Sequence, residues 1–371
     1  MSQSKVTRVS PLSLADRLAE RIRRDGPITF HEWMRCALYD ERDGYYMRSD
    51  HRRWGAEGDY RTSPESSELF TATFARYFAE LFEQSGSPGN WHIVECGSGD
   101  GSFAEGVLKA LRIFFPHVYE ATTYFVDEVS GSGSENIRRR LEPFIDRVEF
   151  GRLSSLEFID GIVFSNELLD TFPVNRLIKR KGELVELYVQ LSSTGQFEWL
   201  EGPLSDRRLL EMYAENDVEI SEDYCIELSP EIDQWLKMVA QKLRRGYLIT
   251  VDYGAEANEL YNNPARRNGT LRAYSRHKFV DILEKPGERD ITSHVNWTRI
   301  RTLGSSFGLS TVLFERQDKF LLDVGILYEL VRRSGDEVSD VEKLRLSTAA
   351  REMILPNSMA STFHVLVQRT I

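Results

Sequence analysis

The sequence predicts an α/β protein: a mainly parallel sheet carrying an N-terminal helical extension and an inserted β-hairpin. Three observations lead there. From Trp91 onward, short apolar runs alternate with helical segments, the pattern of strands joined by crossover helices. Residues 93–101, IVECGSGDG, set a glycine-rich turn between a strand and a helix. Residues 182–202, GELVELYVQLSSTGQFEWLEG, hold two alternating runs about Ser-Thr-Gly and predict a hairpin inside the α/β unit.

Taken in order, residues 12–24 place Leu14, Leu18 and Ile22 four apart with arginines between, an amphipathic helix with Ser13 as its cap. GPITFHEWMRCALYD then predicts a turn and a second helix. The next stretch, through Ser67, is aromatic, glycine-containing and aperiodic; a loop of that length inside a compact protein is usually functional or disordered, and its tyrosines and tryptophan argue against plain disorder. Residues 68–85 return to helical spacing and end at the breaker run GSPGN, which sets the first boundary: extension 1–90, α/β unit 91–371, insertion at about 183–225. Strands are predicted at 91–95, 123–128, 161–165, 246–252, 310–315 and 363–369, with a helical stretch over 319–333.

Composition narrows the function classes. The chain has 371 residues, 41% hydrophobic and 28% charged, enough to bury a substantial core. A formal net charge of −11 argues against a general nucleic-acid binder and suits a partner presenting a basic side chain. Cys36, Cys96 and Cys225 are far apart and form no C-x-x-C pair, so a reducing compartment is the simplest reading. No run approaches the roughly 18 apolar residues of a membrane span, and the first residues lack a signal-peptide h-region. A cytoplasmic protein is expected.

The glycines at 97, 99 and 101 allow positive φ and present no Cβ, so a ligand can lie against the turn and use amides near the helix start. Ser102 with Glu105 fits a capping box there. The dinucleotide fingerprint needs glycine or alanine at 102, where serine stands, which disfavours a nicotinamide enzyme. What is present, acidic-x-G-x-G-x-G, resembles motif I of the class I methyltransferases that bind S-adenosylmethionine (SAM). That likeness implies an acid at the end of the next strand holding the two ribose hydroxyls: Glu128, with Asp127 as alternate.

SNELLD, 165–170, ends the strand 161–165 in carboxylates, and ligands of open α/β sheets sit at that edge. Methyl transfer from a sulfonium is an in-line displacement that the protein chiefly aligns. A guanidinium is a poor nucleophile until its charge is localised, and Glu167 and Asp170 can hold it bidentately. Both acids also suit the first turn of a helix, where negative charge is stabilising.

Further blocks extend the resemblance: GYY at 44–46, GDYRTSPESS at 58–67, SNELLDTFPVNRL at 165–177, VDYG at 251–254, the run from Gly269 to Trp297, and MASTFHVLVQ at 359–368. Together they resemble the MidA family of SAM-dependent protein arginine methyltransferases, whose mitochondrial members assist assembly of respiratory complex I. The resemblance implies that the 58–65 loop folds over SAM, with Gly58, Asp59, Thr62, Ser63, Pro64 and Glu65 lining the pocket alongside Glu95, Gly97, Gly99 and Glu128. Glu167 and Asp170 would face the substrate. It implies symmetric dimethylation of an arginine in a protein such as a complex I subunit, in the cytoplasm of a bacterium or the mitochondrial matrix of a eukaryote. Oligomeric state stays open, a homodimer being one option. His277 and His294 are seventeen apart without a tight ligand pair, so no metal is expected. His294, after Asp290 and Thr292, is the candidate proton acceptor. Two alternatives are a non-catalytic SAM-binding assembly factor and a methyltransferase for a small molecule or another side chain.

Overall fold

The computed structural model describes residues 12–48, 67–129, 131–275, 278–335, 338–355 and 362–371. The four-residue apolar spacing near the N-terminus gives the helix Leu14–Asp25, closed by a reciprocal capping box between Ser13 and Asp16. A two-residue strand, Ile28–Thr29, leads into the helix Phe30–Tyr39, capped by the Thr29 hydroxyl. These helices bury Leu18, Ile22, Trp33, Met34 and Leu38 in a core of their own, shared with Val189 of the insertion and Ile291.

The main sheet follows the order Leu309–Arg316, Phe363–Thr370, Leu243–Ala255, Ile159–Asn166, Trp91–Cys96, Thr122–Asp127, Val148–Gly151. The last five are mutually parallel; Phe363–Thr370 runs antiparallel between Leu309–Arg316 and Leu243–Ala255. A short eighth strand, Val295–Asn296, joins beside Gly254–Ala255. Strand order reverses between Trp91–Cys96 and Ile159–Asn166, so their carboxyl ends open a crevice at the switch point.

The helix Glu68–Gln84 packs on this sheet's core rather than on the N-terminal helices. Phe74 and Phe78 meet Phe103 and Phe164 edge-on, and the Phe103 and Phe164 rings stack 4.4 Å apart. A Cβ on Gly106 would lie 2.3 Å from Thr71 Oγ1, so this close approach of Glu68–Gln84 to the helix Ser102–Phe114 needs glycine. The rigid backing holds the glycine turn from behind.

The predicted hairpin is present as Glu183–Leu191 and Phe197–Gly202, within a larger antiparallel sheet. Asn175–Arg180 and Cys225–Leu228 extend it, and Ile28–Thr29 pairs with Tyr188 and Val189, along the edge that Asn175–Arg180 leaves uncovered. A third, three-stranded sheet holds Lys278–Phe279, Arg272–Ser275 and Asp290–Thr292. The helical stretch expected over 319–333 is two helices, Gln317–Val324 and Ile326–Arg333, broken at Gly325 in the left-handed conformation. No helix among the described residues is long and apolar enough to cross a membrane.

Candidate active site

The crevice is framed on one side by the glycine turn. Gly97, Gly99 and Gly101 have φ of 76°, 60° and 79°, which glycine alone adopts freely. Two of them are also tightly flanked: a Cβ on Gly97 would lie 3.0 Å from Leu168 Cδ1, and one on Gly101 2.9 Å from Ile137 Cγ2, so either would need its neighbour to shift. The Gly97 N–H donates to the Asp127 carbonyl at 2.9 Å, and the Gly99 N–H to Glu128 Oε2 at 3.1 Å. Glu128, half-buried just past Thr122–Asp127, is thereby fixed against the turn. The expected capping box at Ser102 is not formed. Gly101 is the N-cap, with no side chain to offer, and Asp100 Oδ1 accepts from the Ser102 N–H instead, at 3.0 Å.

Glu95 lies beneath this turn, buried, and accepts a 2.7 Å hydrogen bond from the Tyr124 hydroxyl. Burial outweighs that bond and, with the nearby Glu128 and Asp100 charges, pushes its carboxyl up to about 8, so it is largely protonated at neutral pH. Asp127 is likewise raised by burial, against the opposing pull of Arg152 3.3 Å away.

The other side of the crevice is the end of Ile159–Asn166. Glu167 takes φ of 48°, an uncommon conformation for a side-chain-bearing residue, and its N–H donates to the Val251 carbonyl at 3.0 Å. No α-helix follows it; the chain makes a single 3-10 turn, Leu169–Thr171, and enters Asn175–Arg180. The helix-capping account of Glu167 and Asp170 therefore has no helix to cap. Asp170 is 2% exposed. Its carboxylate accepts from the Tyr253 hydroxyl, and its carbonyl accepts from the Ser293 N–H at 2.9 Å.

The residue before Tyr253 holds the same turn from below. Asp252 Oδ2 accepts from the Leu169 N–H at 3.0 Å and the Asp170 N–H at 3.3 Å, while its Oδ1 accepts from the Tyr253 N–H at 2.9 Å. Full burial and the adjacent Asp170 charge raise Asp252 well above the ordinary carboxylate range. Tyr253 meets His294 edge to face, ring centroids 5.4 Å apart. Burial, reinforced by Arg266 and Arg272, lowers His294 to about 4, so the imidazole is neutral at pH 7 but only weakly basic. From the N-terminal segment, the Tyr39 hydroxyl donates to the Thr171 carbonyl at 3.2 Å, and Tyr46 donates to Asp290 Oδ1 at 2.6 Å.

This arrangement invites comparison with known proteins. The profile of a family described as "Putative S-adenosyl-L-methionine-dependent methyltransferase" matches residues 73–314, well over half of the chain. The chain belongs to that family. Its cofactor is SAM and its fold that of the class I methyltransferases. A solved structure from Burkholderia thailandensis, bound to S-adenosyl-homocysteine, superposes with a TM-score of 0.83 at 28% identity, covering 96% of this chain and 91% of that one. Among curated relatives, the protein arginine methyltransferase NDUFAF7 homolog, mitochondrial, of Caenorhabditis elegans is 28% identical over 85% of this chain and 77% of its own length. The rat protein arginine methyltransferase NDUFAF7, mitochondrial, is 24% identical over 94% and 82%.

The residues present suit that cofactor. A cavity of about 210 Å³ opens beside Glu128, walled by Val126, Ile137, Phe150 and Gly151 with Arg138 and Arg152 at its side, so the acid borders a mixed recess close to the side-chain-free turn. A larger open cavity of about 570 Å³ lies elsewhere, between Arg23 of the first helix and the hairpin tip at 192–195, and contains neither the glycines nor the acids. Gly58, Asp59, Thr62, Ser63, Pro64 and Glu65, expected to cover the cofactor, lie outside the described residues. Tyr253 and Asp252, which the structure brings against the 168–171 turn, were not singled out from the sequence, although VDYG repeats the signal of an acid at a strand end. Tyr39 and Tyr46 gave no such signal, because a tyrosine in a helix or turn reads first as packing.

Proposed function

We propose that the chain transfers a methyl group to an arginine of a protein acceptor. The observation that carries this reading is Glu167, an acid held at positive φ at the switch-point strand end, across the crevice from the glycine turn. Backbone strain of this kind costs roughly 1–3 kcal/mol and persists where the surroundings impose it. When bound, SAM supplies an electrophilic methyl on a sulfonium. Glu128, Gly97 and Gly99 would hold it, and Glu95, protonated and turned toward Tyr124, supports the turn from beneath. Glu167 binds the acceptor guanidinium and draws its positive charge away from the attacking nitrogen. His294, neutral and feebly basic, serves as a wall of the acceptor site more readily than as the proton acceptor. The names of the curated relatives support arginine as the acceptor, and the family resemblance supports a respiratory complex I subunit and symmetric dimethylation.

The test is transfer of labelled methyl from SAM to candidate proteins and arginine peptides by wild type and Glu167→Gln. Labelled arginine, lost by about a hundredfold or more in the variant while S-adenosyl-homocysteine still binds, supports the reading; a loss of this size is about 3 kcal/mol of transition-state stabilisation. Label in another residue or a small molecule sinks the acceptor assignment. Binding without transfer to any acceptor favours an assembly factor.

A further inference from the structure

We propose that Tyr253 is a positioning residue for methyl transfer, holding Asp170 ionised and fixed in direction on the acceptor side of the crevice; this rests on the acceptor reading above.

Three observations support it. Asp170, itself buried, and the half-buried Tyr253 are joined directly, hydroxyl to carboxylate. Such a charge-assisted bond is about twice as strong as a neutral one and favours the ionised acid. Second, Tyr253 lies on Leu243–Ala255 and Asp170 in the turn that follows its parallel neighbour Ile159–Asn166, and Asp252, next to Tyr253, pins the backbone of that turn through Leu169 and Asp170. The carboxylate and the main chain that bears it are thus set by two consecutive residues of one strand. Third, the Tyr253 ring is itself boxed, edge-on to His294 and to Phe363 at 5.4 Å each, so its hydroxyl has little freedom to swing away.

The electrostatic surroundings agree with a neutral phenol donating to an anion. Burial together with Asp170 and Asp252 raises the Tyr253 hydroxyl well above its ordinary value. Among the described residues, the titratable groups around Asp170 include Asp252 and Tyr253 of the neighbouring strand, Tyr39 and Tyr46 of the N-terminal segment, and, behind Tyr253 and Tyr46, His294 and Asp290. Of these groups, Tyr253 donates its hydroxyl to the Asp170 carboxylate. Losing it removes the donor without removing the acid.

The experiment compares wild type, Tyr253→Phe, Asp170→Asn and the double variant. Tyr253→Phe is expected to lower kcat about tenfold with S-adenosyl-homocysteine affinity within twofold, and to move the acid limb of the kcat profile to higher pH. The double variant is expected to be no worse than Asp170→Asn alone, since the two act as a unit. A readout independent of any acceptor is the melting temperature: the deficit of Tyr253→Phe should shrink as pH falls and Asp170 takes up its proton. Unchanged kcat and acid limb, or a deficit in melting temperature that is constant with pH, overturns the proposal. So does a kcat loss matched by equal losses of cofactor-product affinity. If label enters an acceptor other than arginine, only the acceptor assignment fails, and the same variants are compared on that acceptor.

Discussion

At the end of Trp91–Cys96 the chain removes side chains, while at the end of Ile159–Asn166, the adjacent strand, it accumulates them. The glycine turn presents bare backbone whose amides are oriented by Asp127 and Glu128, and its shape is fixed by φ values and by Leu168 and Ile137 closing in. The acidic end is fixed by a hydrogen-bonded lattice of Asp170, Asp252, Tyr253 and Ser293. The difference teaches how one crevice separates two tasks. On the function proposed above, a cofactor common to many enzymes would be met by backbone, which sequence drift leaves alone, and the acceptor by side chains, which would set selectivity.

Substitutions on the two sides should therefore fail differently. The largest effect is expected for Gly97→Val, which forces a β-branched residue to φ of 76° and brings its Cβ against Leu168. With strain of roughly 1–3 kcal/mol before any clash, S-adenosyl-homocysteine affinity should fall by about a hundredfold in calorimetry. Asp252→Ala tests the other side. It leaves three backbone N–H groups without their acceptor, so thermal or urea unfolding should show a loss of about 2–4 kcal/mol, with cofactor-product affinity retained at the residual folded fraction. If Asp252→Ala instead abolishes binding in the fully folded protein, the two sides are not separable. Glu128→Gln keeps the shape but weakens a carboxylate acceptor; a drop of about tenfold in S-adenosyl-homocysteine affinity, by the same calorimetry, is expected.

The smallest effect concerns Glu95. Its folded value near 8 lies above its ordinary 4.5, so the folded state binds more protons between those limits. Stability from this group is fully present below about pH 4.5 and is lost as pH rises toward about 8. Glu95→Gln mimics the protonated acid and should flatten that slope in melting temperature, with little change at pH 5. His294 runs the other way: lowered to about 4, it contributes stability that is present above 6.5 and lost as pH falls through 4.

The parallel sheet, the glycine turn and the hairpin were legible in the sequence because each rests on local pattern: apolar runs, glycine spacing, alternation. The sequence also placed Glu128 and Glu167 just past strand ends, where the structure has them, while their roles are part of the proposal. The extent of the insertion was not, since Asn175–Arg180 and Cys225–Leu228 are sheet strands only by pairing with distant partners. Ser102 as a cap failed because S-x-x-E also occurs one residue inside a helix whose cap is glycine. The Asp170–Tyr253 contact, eighty-three residues apart along the chain, has no local signature. The helix Asp340–Ile354 was not anticipated either; its apolar residues do not fall on a single stripe, with Val341 and Leu344 exposed and Leu346, Ala350 and Met353 buried.

The pairing of Ile28 with Val189 sets an order of assembly. During synthesis the first helices leave the ribosome long before the strand they must join, and the edge beside Tyr188 and Val189 stays open until the two meet. An N-terminal truncation past Thr29 would expose that edge permanently, a template for pairing with another chain. The two-residue strand is thus a clasp that ties the helices Leu14–Asp25 and Phe30–Tyr39 to the insertion and keeps that edge from other chains.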